Sequence, residues 1–201
     1  MARNLWTGEG IDITHIAIGG APTGAAFIFV SSISGDNAII VETGAAAQLL
    51  PADVEGASAD FVGADVFMTQ LEQPIPAAIR GLELARKHGF ITILNPAPAT
   101  VLPDSIWQLC DFATPNESEA EAITGIAVTD LAAAQRAGDA LLARGVGTAV
   151  LTLGAQGVVV HCRDGSTLCP PLQLDPSLTR PAWATHLAAA SPRPWRGGKT
   201  C

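Results

Sequence analysis

Two apolar runs rich in β-formers, residues 24–31 and 38–41, flank Ser34-Gly35-Asp36-Asn37 near the start of the chain. That arrangement predicts a β-hairpin. Ahead of it, residues 9–16 read as a helix end turning into a short strand. From Val54 onward the pattern changes to strand alternating with helix. Residues 64–71 and 90–95 are compact apolar runs, and residues 75–88 between them carry amphipathic helical spacing that ends in Lys87, His88 and Gly89. Residues 105–109 lead into a short strand before Thr114. The alanine-rich residues 130–144 predict another helix, stopped near Gly145. Residues 148–153 and 157–162 are strands joined by Gly154-Ala155-Gln156-Gly157. Regular βα alternation with short connections implies an α/β fold, a parallel sheet with helices on both faces.

Composition narrows the class. A chain of 201 residues can bury one substantial core, and its 48% hydrophobic and 15% charged residues fit a globular domain. The net charge of -8 disfavours nucleic acid and anionic membrane as partners. No apolar run has bilayer length, and Met1 to Trp6 lacks the apolar core of a signal peptide. Cys110, Cys162, Cys169 and Cys201 show no metal-ligand spacing, which fits thiols in a reducing compartment. The expected location is cytoplasmic.

Candidate chemistry collects where the predicted parallel strands end. The stretch Thr114-Pro115-Asn116-Glu117-Ser118-Glu119-Ala120-Glu121 has two readings. In one, Pro115 stops a strand, Asn116 caps a helix and Glu119 reaches back as the carboxylate of a capping box. In the other, carboxylates at a strand's carboxyl end hold magnesium through water, where open α/β sheets bind ligands. Gln70-Leu71-Glu72, Asn95-Pro96-Ala97-Pro98-Ala99 and Thr152 to Gly157 fall at the same predicted edge. Singly, each also reads as a turn or rigid loop.

Together, in this order and spacing, these stretches resemble the ribokinase and phosphofructokinase B family of sugar kinases. The likeness runs from about Asn4 to about Asp175. It implies a doubly wound α/β fold with a small β-sheet lid, to which the predicted hairpin corresponds. It also implies ATP-dependent phosphorylation of a sugar, ribose by preference. By the same resemblance Glu72 lies near the sugar, Asn116 and Glu119 order Mg2+ and the phosphates, and Thr152, Leu153, Gly154, Ala155, Gln156 and Gly157 contact ATP. Members are often homodimeric.

Departures from the family pattern set further expectations. The strand and glycine-rich region expected ahead of Asn4 are missing, and a Gly-Ala-Asn of the lid region reads Gly44-Ala45-Ala46. The signature Asp-Thr-x-Gly-x-Gly-Asp-Thr-Phe, which the resemblance makes the source of the anion hole and catalytic aspartate, does not follow Asp175. Residues 177–201 contain no Asp or Glu but hold Arg180, Arg193, Arg196, Lys199, Trp183 and Trp195. Read two bases later, the codons for residues 178–187 permit that signature, and the TGG of Trp183 followed by GC forces its central glycine.

The expectation is therefore a frameshift between about Asp175 and Ser177. It divides the chain into an amino-terminal and lid remnant (1–50), an α/β core (51–175) and an aberrant, disordered tail (176–201). No catalytic residue is assigned, and the chain is expected to be inactive as a kinase. The alternative is a non-catalytic nucleotide-binding or interaction fragment.

Overall fold

The computed structural model describes residues 2–33, 37–61 and 63–171. Residues 34–36 of the predicted hairpin turn and the whole of the 176–201 tail lie outside the described residues.

The hairpin forms. Strands β1 (Thr23–Val30) and β2 (Asn37–Gly44) pair antiparallel, with Thr23 opposite Gly44 and Val30 opposite Asn37. A Cβ on Gly24 would sit 2.7 Å from the Thr43 carbonyl oxygen, so glycine permits the close approach at this end of the ribbon. Helix α1 (Ala2–Gly8) precedes it. The short strand expected within residues 9–16 is absent. Asp12 instead accepts hydrogen bonds from the Thr14 backbone N–H at 2.9 Å and the Thr14 hydroxyl at 2.6 Å, and that local turn replaces strand pairing.

Helix α2 (Pro51–Ala57), which the hydrophobic pattern did not predict, starts at a proline. Its first turn is closed by the Leu50 N–H donating to Asp53 Oδ2 at 2.8 Å. Arg80 Nε meets Glu55 Oε1 at 2.6 Å and ties this helix to helix α3 (Ile75–Lys87).

The main sheet has six strands in sequence order: β3 (Val66–Thr69), β4 (Ile91–Leu94), β5 (Phe112–Ala113), β6 (Thr148–Thr152), β7 (Val158–Cys162) and β8 (Gly165–Cys169). Strands β3 to β6 run parallel, and β7 and β8 return antiparallel. Helix α3, the 3-10 turn Asp104–Leu109, and helices α4 (Glu117–Thr124) and α5 (Leu131–Ala143) make the crossovers. Among the described residues the strand order never reverses. Right-handed crossovers that all step the same way place their helices on one face, and α3, α4 and α5 accordingly share one side of the sheet.

That covered face holds the core. Leu94, Ala113 and Ala149 lie in register across three strands and are fully buried beside Leu82, Ile106, Trp107, Leu141, Leu151 and Val159. Small residues let the helices sit close: a Cβ on Gly138 would lie 2.5 Å from His161, and one on Gly81 would overlap the ring of Phe67. His161 pins the sheet's antiparallel end to α5, its Nε2 lying 2.9 Å from Asp139 Oδ1 and its Nδ1 2.5 Å from Ser166 Oγ. The opposite face carries Val66, Met68 and Ile91, all exposed, with Met68 at 64%. No helix among the described residues is long and apolar enough to cross a membrane.

Candidate active site

Four successive hydrogen bonds assemble the carboxyl ends of the parallel strands into one edge. The Asn95 N–H donates to the Thr69 carbonyl at 2.9 Å, Thr114 N–H to Leu94 at 2.9 Å and Thr152 N–H to Pro115 at 3.0 Å. Across the first gap, the Leu71 N–H also donates to the Ala97 carbonyl at 2.9 Å. The four stretches singled out from the sequence are thereby adjacent in space.

Asn116 follows β5 after Thr114 and Pro115 and caps α4. Its Oδ1 accepts from the Glu119 N–H at 2.8 Å and from the Ser118 hydroxyl at 2.9 Å, while its own N–H donates to Glu119 Oε2 at 2.9 Å. This is the reciprocal capping box the residue spacing predicted. It leaves Glu119 Oε1 outside the box, on a side chain that is only half-buried, at the positive end of a helix.

The turn after β6 divides by role. Thr152, Gly154, Ala155 and Gln156 are exposed, but the Leu153 side chain is buried and joins the core. Within the turn the Leu153 N–H donates to Gly157 at 2.8 Å, Gln156 to Leu153 at 2.9 Å, and Gly157 to Gly154 at 3.2 Å. Those three N–H groups are occupied, so a phosphate held there would have to compete for them. Gly154 and Gly157 have φ of 48° and 99°, where only glycine is unstrained. A Cβ on Gly154 would lie 3.5 Å from Glu117 Oε1, so this turn and the α4 start are neighbours.

Glu72 is exposed in the loop between β3 and α3. The loop is braced by Gln73 Nε2, which donates to the Thr69 hydroxyl at 2.5 Å and to the Gln70 carbonyl at 2.7 Å. Glu72 lines an open cavity of about 710 Å³ beneath the hairpin, with Trp6 of α1 and Glu42 of β2 on its other walls. Neither Trp6 nor Glu42 was expected here. The available sequence signals were a tryptophan in an otherwise small amino-terminal helix and a carboxylate directly after the apolar run at 38–41.

Residues 1–176 match the family described as pfkB family carbohydrate kinase. The chain belongs to that family. It is 39% identical over 167 residues to a ribokinase of Haemophilus influenzae, covering 83% of this chain and 54% of that one. A ribokinase of Staphylococcus aureus is 42% identical over 146 residues, covering 73% and 48%. The crystal structure of a Thermotoga maritima ribokinase superposes with a TM-score of 0.69 at 29% identity, over 86% of this chain and 56% of that one. The chain thus spans about half the length of the relatives it matches.

Pfkb kinases take ATP, generally with Mg2+. Among the described residues no cluster of three or more His, Cys, Asp or Glu forms a direct metal cage. Magnesium keeps several waters and is commonly held through one or two carboxylates plus substrate phosphates, so a single available Glu119 oxygen beside a helix start fits it.

Proposed function

We propose that this chain carries the nucleotide- and magnesium-facing part of a ribokinase-type site, built to transfer the γ-phosphoryl group of ATP to a hydroxyl of ribose. The observation that carries the reading is the ladder of bonds that sets Gln70 to Glu72, Asn95 to Ala99, Thr114 to Glu121 and Thr152 to Gly157 along one strand edge. Asn116 and Glu119 order the metal and phosphates from the capped start of α4. Thr152 and Gly154 to Gln156 face the nucleotide, with Leu153 and Gly157 shaping the turn beneath it. Glu72 accepts hydrogen bonds from sugar hydroxyls.

Phosphoryl transfer asks a protein mainly to position two substrates and to neutralise developing charge. Bound magnesium would supply the charge neutralisation at the phosphates. The capping box fixes Asn116 and Glu119 in one geometry, so their ordering cost is met in folding rather than at binding. Among the described residues none on this edge is placed to take the proton of the attacking hydroxyl, and loss of a general base typically costs about 10²–10⁴-fold in rate. The 201 residues therefore bind nucleotide without turnover.

The lid remnant, core and tail divide at residues 50 and 175, and the chain works in the cytoplasm. Calorimetric titration with ATP and magnesium, beside an assay of ADP release with ribose, tests the reading. Magnesium-dependent binding with no ADP release supports it, and robust ribose-dependent turnover contradicts the claim of inactivity.

A further inference from the structure

The cavity under the hairpin has a chemistry that the strand-edge residues do not explain. Glu72 approaches from the loop after β3, Glu42 from the hairpin, and Trp6, half-buried, from α1. Glu42 makes one long contact, its Oε1 accepting from the Gly44 N–H at 3.3 Å, which leaves most of its acceptor capacity open. Among the described residues, Arg3 is the only basic side chain on the wall. Two carboxylates against one guanidinium disfavour an anionic ligand and suit one that donates several hydroxyl hydrogens. An indole face offers a flat apolar surface, which complements the C–H face of a sugar ring.

We infer that Trp6 and Glu42 are specificity-determining residues of the sugar cavity, Trp6 as the platform under the ring and Glu42 as a second hydroxyl acceptor opposite Glu72, selecting a neutral sugar over its phosphate. The inference rests on Glu72 marking the sugar site. It goes beyond that reading by assigning residues of α1 and the hairpin to recognition.

The test is calorimetric titration of the full chain with D-ribose and with ribose 5-phosphate, for the native protein and for Trp6→Ala, Trp6→Phe and Glu42→Gln. Circular dichroism establishes that each variant is folded. The native chain is expected to bind ribose in preference to its phosphate. Losing the platform or a charge-assisted hydrogen bond should weaken ribose binding about tenfold in Trp6→Ala and Glu42→Gln, with Trp6→Phe recovering most of it. Glu42→Gln should also narrow the preference against the phosphate. Ribose binding that is equal in native and variant chains overturns the inference and leaves the sugar reading standing. A native chain that binds no ribose overturns both.

Discussion

Asn116, past the end of β5, pairs as a parallel β-residue with Thr152, the last residue of β6, and the Thr152 N–H is bonded to the Pro115 carbonyl at 3.0 Å. The bridge makes the helix start that carries Glu119 and the turn at Gly154 one rigid unit. It is also the point at which a structural and a functional explanation of the same residues can be separated.

Asn116→Ala removes the oxygen that accepts from the Glu119 N–H. Loss of such a cap costs about 0.5–2 kcal/mol, and the urea midpoint should fall accordingly. Asn116→Asp retains the cap oxygen, so its midpoint should stay near the native value.

Gly138→Ala tests how closely α5 lies on β7. Its new methyl group would meet the His161 ring at 2.5 Å, and both partners sit in a packed interior. Overpacking of this kind typically costs about 1–3 kcal/mol. The same variant should displace His161 from Asp139 and Ser166, which an altered imidazole resonance in NMR spectra would report.

Cys110 is buried and hydrogen-bonded to the Ile106 carbonyl at 3.2 Å, and burial pushes its thiol from 9.0 up to about 12. In the unfolded chain this thiol ionises near its ordinary value, while in the folded chain it stays protonated. Stability is therefore lost as pH rises from about 9 towards 12, because the unfolded state releases the proton first. Comparing native and Cys110→Ala unfolding across that window should show the steeper decline in the native protein. At pH 8 a thiol reagent should modify exposed Cys169 quickly and Cys110 only on unfolding.

The face of the sheet opposite the helices exposes Val66, Met68 and Ile91, and the hairpin exposes Phe27, Ile28, Phe29 and Val30. Surfaces of this kind associate or bind apolar dyes. Met68→Lys should reduce both dye binding and the apparent size seen by light scattering at matched concentration. An unchanged dye signal would mean that this face is covered in solution.

Much of the fold could be read from the chain. Helices α3 and α5 were placed almost to the residue because both combine periodic apolar positions with clear ends: His88 and Gly89 after the first, Asp130 before the second. The Asp130 side chain accepts from the Ala133 N–H at 2.7 Å. Helix α2 and strand β8 were missed. The first is held by its proline and by Asp53, and Gly165–Cys169 has little alternation and becomes a strand through pairing with β7. The strand expected in residues 9–16 failed for the converse reason, since a local turn at Asp12 satisfied its backbone without a partner.

At the site, the order of the motifs predicted their common edge, and the Asn116 to Glu119 spacing predicted the capping box. What spacing could not reveal was which groups folding had already used. Leu153 turns into the core, and the N–H groups of Gln156 and Gly157 are occupied within their own turn. Nor could it bring Trp6 and Glu42 to Glu72, because that juxtaposition depends on how α1 and the hairpin lie over the sheet.

The central claim is that the capped start of α4 serves a metal-bound nucleotide and not only the helix. Its most direct test is calorimetric titration of the full chain with ATP, with and without magnesium, in the native protein and in Glu119→Gln. The amide keeps an oxygen for the Asn116 N–H, so the variant should remain folded. The account predicts saturable one-site binding that requires magnesium and is weakened at least about tenfold by the substitution. No saturable binding by the native chain, or binding indifferent to both magnesium and Glu119, would contradict it.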